Sequence, residues 1–203
     1  MAETLGPLKI ARKDGTEEFR DGPTALGFDL LSFWRWSCSD LVNNTARGIL
    51  AEYIVSRALG VTDGCRIEWD AYDVVSPDGV KIEVKSAAYL QSWDQKKLSS
   101  ITFSAPKTLG WDSRTNEYDD EPKRQSDVYV FALLAHKDKA TVDPTDVSQW
   151  QFFVVSTKVL NHLHPLQKSF GISSIRKMAE AVIYSGLRNA IQDAARASDM
   201  GSS

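Results

Sequence analysis

The stretch YDVVSPDGVKIEVKS, residues 72–86, predicts a β-hairpin around which the rest of the fold is organised. At its centre the tetrapeptide SPDG, Ser76–Gly79, has proline at the second position and glycine at the fourth, which suits a type I turn. If Gly79 adopts a left-handed conformation, the turn becomes a hairpin loop of about three residues with a bulge. In the register that follows, Asp73 lies directly opposite Glu83.

The register also decides which side chains share a face of the sheet. Because side chains alternate along a strand, Asp73, Glu83 and Lys85 point to one side. A two-residue loop would put Asp73 opposite Ile82 and mix polar with apolar positions, so the alternation favours the longer loop. Opposed carboxylates, with Cβ atoms about 5 Å apart, repel each other and need a positive partner, either a divalent cation or Lys85. The other side is apolar and consists of Tyr72, Val74, Ile82 and Val84.

Length and composition predict a single domain over residues 1–203. The apolar fraction of 42% and the charged fraction of 25% are ordinary for a soluble protein, and no apolar run approaches the roughly 20 residues of a membrane helix. A net charge of −3 argues against bulk coating of nucleic acid, but not against an enzyme that contacts a few phosphates. We find no signal-peptide pattern and interpret Cys38 and Cys65 as unpaired, buried thiols, so we expect a cytoplasmic protein.

Hydrophobic periodicity divides the chain into helices and strands. Residues 43–60 have the pattern of an amphipathic helix that ends at Gly60, and the apolar run 127–135 is typical of a central strand covered on both sides. The predicted apolar stripe of the helix is Ala46, Ile49, Leu50, Tyr53, Ile54 and Leu59. The other predictions are a lead-in over 1–38 with a short buried helix at 26–36, strands at 65–75, 80–87, 99–105 and 149–157, an exposed excursion at 106–126, a helix at 173–195 and a frayed tail at 196–203.

The acids of the hairpin have the layout of a divalent-metal site for phosphodiester hydrolysis. Hard cations such as Mg²⁺ prefer oxygen ligands and keep several waters, so that two or three carboxylates suffice. Lys85 would reach the same face and hold either the attacking water or the developing negative charge, and whether it also removes a proton stays open. The alternative is a plain ion cluster of Asp73, Lys85 and Glu83 on a solvated face.

A further acid, Glu52, lies close to the apolar stripe of the predicted helix. A carboxylate at such a boundary needs a partner to offset its desolvation. A metal shared with Asp73 would serve, and so would a salt bridge to Arg47 or Arg57.

The order ARGILAEYIV, then Asp73, then IEVKS resembles the PD-(D/E)xK nuclease superfamily, which has the restriction-endonuclease-like fold. The resemblance is close over residues 44–86 and loose at 127–135. It implies an α/β fold with a central mixed sheet of about four to five strands flanked by helices. About 40 residues separate Lys85 from Asp127, where that superfamily places a single helix, so the topology of residues 87–126 stays open.

By the same resemblance, Asp73, Glu83, Lys85 and Glu52 are the catalytic residues, and the three acids bind Mg²⁺ or Mn²⁺. The implied activity is metal-dependent hydrolysis of DNA in restriction, phage defence, repair or a mobile element. A catalytically inert domain of the same fold, which binds nucleic acid or protein, is the alternative. DNA is the expected partner, and a homodimer or a partner subunit is compatible with the sequence.

Aromatic and basic residues after the hairpin are candidates for contacts with nucleic acid. Aromatic rings stack on bases and lysines bind phosphates, so this interleaving is typical of such a surface, although packing tryptophans would give the same pattern. The candidates are Gln91, Trp93, Lys96, Lys97 and Lys107.

Overall fold

The computed structural model describes residues 6, 8–68, 70–112, 115 and 117–199. Two compact units are distinguished and are described separately. The smaller contains the described residues up to Ser39 together with Asp63–Arg66, and the larger contains Asp40–Thr62 and the residues from Ile67 onward. The single-domain organisation therefore stays a prediction. No helix in the described part of the chain is long and apolar enough to cross a membrane.

The smaller unit consists of a β-hairpin followed by a helix. Its elements are β1 (Glu18–Asp21), β2 (Thr24–Asp29) and α1 (Leu30–Cys38). The Asp29 side chain accepts the Ser32 N–H and so begins the helix four residues later than the predicted start at residue 26. The prediction of a buried helix was wrong, because no residue of α1 is buried.

The larger unit is built on a five-stranded mixed sheet flanked by helices, which confirms the predicted fold class. Its elements in chain order are α2 (Asn44–Leu59), β3 (Val74–Val75), β4 (Lys81–Ala88), β5 (Thr102–Ser104), β6 (Trp111–Asp112), β7 (Glu117–Tyr118), β8 (Val128–Leu134), β9 (Trp150–Ser156), α3 (Thr157–Leu163), β10 (Ser169–Gly171), α4 (Ile172–Met178), β11 (Ala181–Val182) and α5 (Leu187–Asp199). The strand order is β11-β9-β8-β4-β3, with β4 and β8 parallel and the other neighbours antiparallel. The sheet is consistent with a restriction-endonuclease-like core.

Strand β8 is the centre of the sheet, as its apolar run predicted. All seven of its residues are buried, because helices cover one face and smaller elements cover the other. Val128, Val130, Ala132 and Leu134 pack in a cluster with α2 and α5. Tyr129, Phe131 and Leu133 pack in a second cluster with residues from β5, β10, α3 and α4.

Helix α2 has the predicted position but presents a different face to the sheet. Asn43 caps its N-terminus by accepting the Ala46 N–H, and Gly60 ends it with φ of +73°. Its buried residues are Arg47, Ala51, Ile54, Val55 and Leu59, whereas Ile49 and Tyr53 of the predicted stripe are exposed. The stripe was misassigned because Ala51 and Val55, which contact the sheet, are smaller than the aromatic and aliphatic residues on the exposed face.

Several other segments differ from the sequence predictions or were left open by them. Only Val74–Val75 of the strand predicted at 65–75 is a strand, and Trp69 lies outside the described residues. The helix predicted at 173–195 is divided, because residues 181–182 pair with the edge of β9. The described residues between β4 and β8 form short strands and turns and no helix. Helix α5 extends to Asp199, into the segment predicted as a frayed tail. Cys38 and Cys65 are free thiols, as predicted, but both are exposed and not buried.

A leucine pair tests this assignment of the core. Leu133 on β8 is 0% exposed, whereas Leu166 is 87% exposed. Leu133→Ala should lower the free energy of unfolding by about 2–5 kcal/mol, because it leaves a cavity among tightly packed side chains. The same change at Leu166 should alter it by less than about 0.5 kcal/mol. Urea denaturation of the three proteins measures both values, and equal losses would contradict the described core.

Candidate active site

The turn between β3 and β4 has the predicted geometry. Gly79 has φ of +84°, and its N–H donates to the Ser76 carbonyl at 2.9 Å. The Ser76 N–H donates to the Val80 carbonyl at 2.9 Å, and the Ser76 hydroxyl accepts the Val80 N–H. Val74 lies opposite Ile82, which confirms the longer-loop register.

The parallel pairing of β4 with β8 separates the two faces of β4. Val84 packs in the cluster that contains α2, together with Val74 and Ile82. Glu83 lies beside Tyr129 and Lys85 beside Phe131, so both charged side chains belong to the opposite face. The predicted division is therefore present for Val74, Ile82 and Val84, whereas Tyr72 is half-buried and lines a cavity with Trp111 and Tyr118.

Asp73 lies where the ladder between β3 and β4 stops. Its N–H donates to the Ile82 carbonyl at 3.0 Å, although Ile82 already pairs with Val74. The direct pairing of Asp73 with Glu83 that the regular register predicts is therefore not formed. Instead, Asp73 Oδ2 accepts the Val84 N–H at 2.7 Å. The carboxylate thus accepts a backbone hydrogen bond that a neighbouring strand would otherwise accept. It is held beside β4, next to the position of Glu83.

Glu83 connects β4 to the start of β8. Its carboxylate forms an ion pair with Lys85 through Oε1, and Oε2 accepts the Ser126 hydroxyl at 3.3 Å. The Glu83 side chain is 18% exposed and that of Lys85 is 32% exposed. Both groups are accessible, and each is restrained by its neighbours.

A cavity of about 220 Å³ opens at Glu83 and Lys85, and Tyr129 and Gln125 also line it. A larger cavity of about 650 Å³ shares Gln125 and Ala71 with the first, so the two adjoin. The larger one has aromatic and charged walls: Tyr72, Trp111, Tyr118, Lys81, Lys123, Asp70, Glu117 and Asp119. The charged pair of β4 therefore faces an open groove.

The pKa of the Tyr129 hydroxyl reflects its burial and the charges near it. Burial raises the pKa of its hydroxyl, and the charges of Glu83 and Asp73 raise that pKa further, against the opposing effect of Arg124. Tyr129 stays neutral near pH 7 and presents a phenol to the cavity.

The excursion predicted at 106–126 is a β-ribbon in its described part. Thr108 pairs with Lys123, and Trp111 pairs with Tyr118. Its base is held by Arg124, which is 5% exposed and donates to the carbonyls of Ala105, His164 and Gln167 and to the Asn161 side chain. Burial lowers the pKa of this guanidinium. Arg124 therefore fastens the ribbon that walls both cavities.

Glu52 is half-buried on α2, the helix that packs against the other face of the sheet. Its neighbour Ala51 lies in the same cluster as Val84, whose N–H binds Asp73. The three nitrogens of Arg47 donate to Ser86, Val42 and Asn44. Within the described part of the chain, no three His, Cys, Asp or Glu side chains form a group that could hold a metal. The three-acid metal site thus stays a prediction.

A comparison with protein families identifies the chain. The sequence profile described as Bacteriophage T4 endonuclease IV matches residues 13–173, which is most of the chain and includes every candidate site residue. The chain belongs to the bacteriophage T4 endonuclease IV family. This membership supports the prediction of a nuclease. Among individual curated proteins, none matches the chain significantly.

The nucleic-acid candidates of this T4 endonuclease IV family member occupy two regions. Lys107 is exposed and lies between two residues of the cavity wall, Pro106 and Thr108. The others follow the far end of β4, about 16 Å along the strand from Glu83. Gln91 is buried and donates to the Ala88 carbonyl and the Ser99 hydroxyl, whereas Trp93, Lys96 and Lys97 are exposed.

Three polar residues of the site were missed by sequence reasoning: Gln125, Ser126 and Tyr129. The signal for Tyr129 was its hydroxyl in an otherwise apolar strand, and its pairing with Glu83 could not be read without the register of β4 against β8. Gln125 and Ser126 lie in a segment that composition marked only as exposed, although Ser126 is 3% exposed.

Arg124 provides a test of the ribbon's anchoring. Arg124→Lys keeps the charge but removes the planar guanidinium group with its several N–H donors. Buried carbonyls would therefore lose their hydrogen-bond donors. The free energy of unfolding should fall by about 2 kcal/mol, and proteolysis within residues 106–123 should accelerate. Arg176→Lys, at an exposed arginine on α4, is the matched control and should change neither value. Unchanged proteolysis in Arg124→Lys would contradict the anchoring role.

Proposed function

We propose that this protein is a metal-dependent endonuclease of the PD-(D/E)xK type that hydrolyses DNA phosphodiester bonds. The observation that carries the proposal is the arrangement at β4. Glu83 and Lys85 face an open cavity, and the Asp73 carboxylate is held on the neighbouring Val84 N–H. Membership of an endonuclease family supports the same reading.

The donor set fits Mg²⁺ or Mn²⁺, since Asp73 and Glu83 offer carboxylate oxygens on neighbouring segments and hard cations prefer oxygen ligands. When bound, such a cation would polarise the scissile phosphate and make a bound water more nucleophilic. Glu52, half-buried beside Ala51, is the third acid of the proposed set. Two carboxylates with several waters are sufficient for Mg²⁺, so the Asp73–Glu83 pair is the minimal site.

Lys85 would act on the phosphate. Its ammonium group is anchored by Glu83 and partly exposed at the cavity, so it can contact a phosphate oxygen without a large rearrangement. A fixed positive charge at this position stabilises negative charge that develops during hydrolysis. Ser126 keeps Glu83 oriented by donating to Oε2. The phenol of Tyr129, which is neutral, can donate a hydrogen bond to the same substrate group.

The groove formed by the two cavities would receive the DNA strand. Tyr72, Trp111 and Tyr118 offer rings on which bases can stack, and Lys81 and Lys123 offer charges for phosphates. Lys107 lies at the rim of the smaller cavity and would bind a phosphate next to the cleaved bond.

Cleavage assays test this function directly. Purified wild-type protein should cleave DNA in the presence of Mg²⁺ or Mn²⁺ and not in EDTA. Lys85→Ala and Glu83→Gln should each lose at least about 100-fold in rate, as expected for removal of one group that stabilises the transition state. Lys158→Ala, at an exposed lysine of α3, should keep the wild-type rate.

Single-stranded, duplex and nicked DNA and a matched RNA should be compared in the same assay. Wild-type rates equal to those of Lys85→Ala on every substrate would exclude catalysis at this site. That outcome would favour the inert, binding-only alternative.

Thermal melts distinguish a metal site from a simple ion cluster. A cation that binds only the folded state should stabilise the wild type by about 2.7 kcal/mol at 100 times its dissociation constant. Asp73→Asn retains an oxygen that can accept the Val84 N–H but removes the charge, so it should remain as stable as the wild type without metal and lose most of the Mg²⁺-dependent shift. Equal Mg²⁺ shifts in both proteins would contradict a metal at Asp73.

A further inference from the structure

Gln125 lies where the two cavities of the proposed DNA groove meet. The smaller cavity contains Glu83 and Lys85, and the larger one contains the aromatic rings. Among the described residues, Gln125 and Ala71 line both cavities, so Gln125 has the polar side chain at their junction. The residue that follows it, Ser126, donates to Glu83 Oε2 at 3.3 Å. The Gln125 side chain is therefore placed beside the charged pair that is proposed to act on the cleaved phosphate.

The amide group of Gln125 is held through its nitrogen. Nε2 donates to the Thr108 carbonyl at 2.8 Å. The pKa of Asp119 is lowered chiefly by a hydrogen bond from Lys123, and a hydrogen bond from Gln125 lowers it further. Both neighbours of the amide, a carbonyl and a carboxylate, accept hydrogen bonds, so the nitrogen of the amide must face them and the oxygen must not. The orientation of the amide is therefore determined by its surroundings.

The oxygen of this amide lies against Gly110. A Cβ at Gly110 would lie 2.8 Å from Gln125 Oε1 and 2.9 Å from Gln125 Cδ, so the absence of a side chain there makes room for the amide. Within the described part of the chain, no group donates a hydrogen bond to Oε1. This oxygen is also not one of the buried unpartnered oxygens, which there belong to Gln91 and Gln151. Gln125 thus presents an accessible hydrogen-bond acceptor in a fixed position at the junction of the cavities.

The rings and lysines of the groove contact DNA without distinguishing its bases. Aromatic rings stack on every base, and lysines bind phosphates, which carry no sequence information. The acids Asp70 and Glu117 line the larger cavity and not the one that contains Glu83. Adenine and cytosine carry an exocyclic amino group at the position where guanine and thymine carry a carbonyl oxygen. The Gln125 oxygen therefore binds the amino group and repels the carbonyl oxygen.

We propose that Gln125 is a specificity-determining residue that favours adenine or cytosine over guanine or thymine next to the cleaved bond. The inference rests on the proposed function, because it requires a DNA strand in the groove. A single hydrogen bond of this kind corresponds to a preference of about five-fold. If Gln125 only fastened the ribbon, the protein would bind the four bases without this preference.

Binding to short single strands of adenine, cytosine or thymine nucleotides tests the proposal. Lys85→Ala is the background, because it keeps the groove and is expected to bind DNA without cleaving it. In this background the affinity for adenine and cytosine strands, divided by that for thymine strands, should fall about five-fold on Gln125→Leu. Leucine has a similar size but no acceptor, and the Thr108 carbonyl keeps the Lys123 N–H as a donor at 3.0 Å. Fluorescence anisotropy measures all the affinities, and the same ratio in both proteins would overturn the proposal.

Gln125→Lys provides the opposite change. A lysine can still donate to the Thr108 carbonyl and the Asp119 carboxylate, but it offers no acceptor to a base. A donor at this position pairs with a carbonyl oxygen, so the ratio should shift toward thymine by more than in Gln125→Leu. Thr115→Lys adds the same charge at the larger cavity and leaves Gln125 in place, so it should strengthen binding to all three strands without changing their ratio. Equal shifts of the ratio in Gln125→Lys and Thr115→Lys would overturn the proposal.

Cleavage by the wild type is measured separately, so that the two proposals can fail independently. The expected shifts in the binding ratio, in a protein that cleaves no DNA with Mg²⁺, would support the role of Gln125 and contradict the nuclease function. Cleavage with a binding ratio that no Gln125 variant changes would support the nuclease function and overturn the role of Gln125. Failure of every variant to bind any strand would overturn the role of Gln125 as well.

Discussion

The parallel pairing of β4 with β8 is the contact on which the rest of the larger unit depends. It places β8 at the centre of the sheet, with all seven residues buried. Because side chains alternate, one register assigns every residue of β4 to a face. Val84 goes to the α2 side, and Glu83 and Lys85 go to the opposite side, next to Tyr129. A shift of one residue would bury the two charges under α2, which their desolvation forbids.

Strand β3 is short, so the edge of β4 beyond Ile82 is not paired with a regular strand. Pairing stops at Val74, and the Val84 N–H would lack a strand partner if Asp73 did not accept it. The same carboxylate therefore satisfies the backbone and carries charge next to Glu83. A hydrogen bond from the β4 backbone fixes the position of the Asp73 carboxylate. The acid is therefore ordered without additional side-chain packing.

The connection from β4 to β8 builds the walls of the site. A helix is the common crossover between parallel strands, yet the described residues here form β5 and a ribbon anchored by Arg124. A Cβ at Gly110 would lie 2.5 Å from Asp119 Oδ2, so a larger residue there would displace that side chain. The wall that results contains Gln125, which lines both cavities, and Trp111 and Tyr118, which line the larger one.

The sequence by itself determined the local features: the SPDG turn, the Val74–Ile82 register, the ends of α2 at Asn43 and Gly60, and the burial of β8. Each depends on backbone preferences or on a run of apolar residues, which short-range physics decides. Tertiary structure alone decided which face of α2 meets the sheet, that Asp73 binds the Val84 N–H, and that the ribbon returns to Glu83. These features depend on pairings between residues far apart in the chain, such as β4 with β8 or Arg124 with the Gln167 carbonyl, and local preferences cannot specify such pairings.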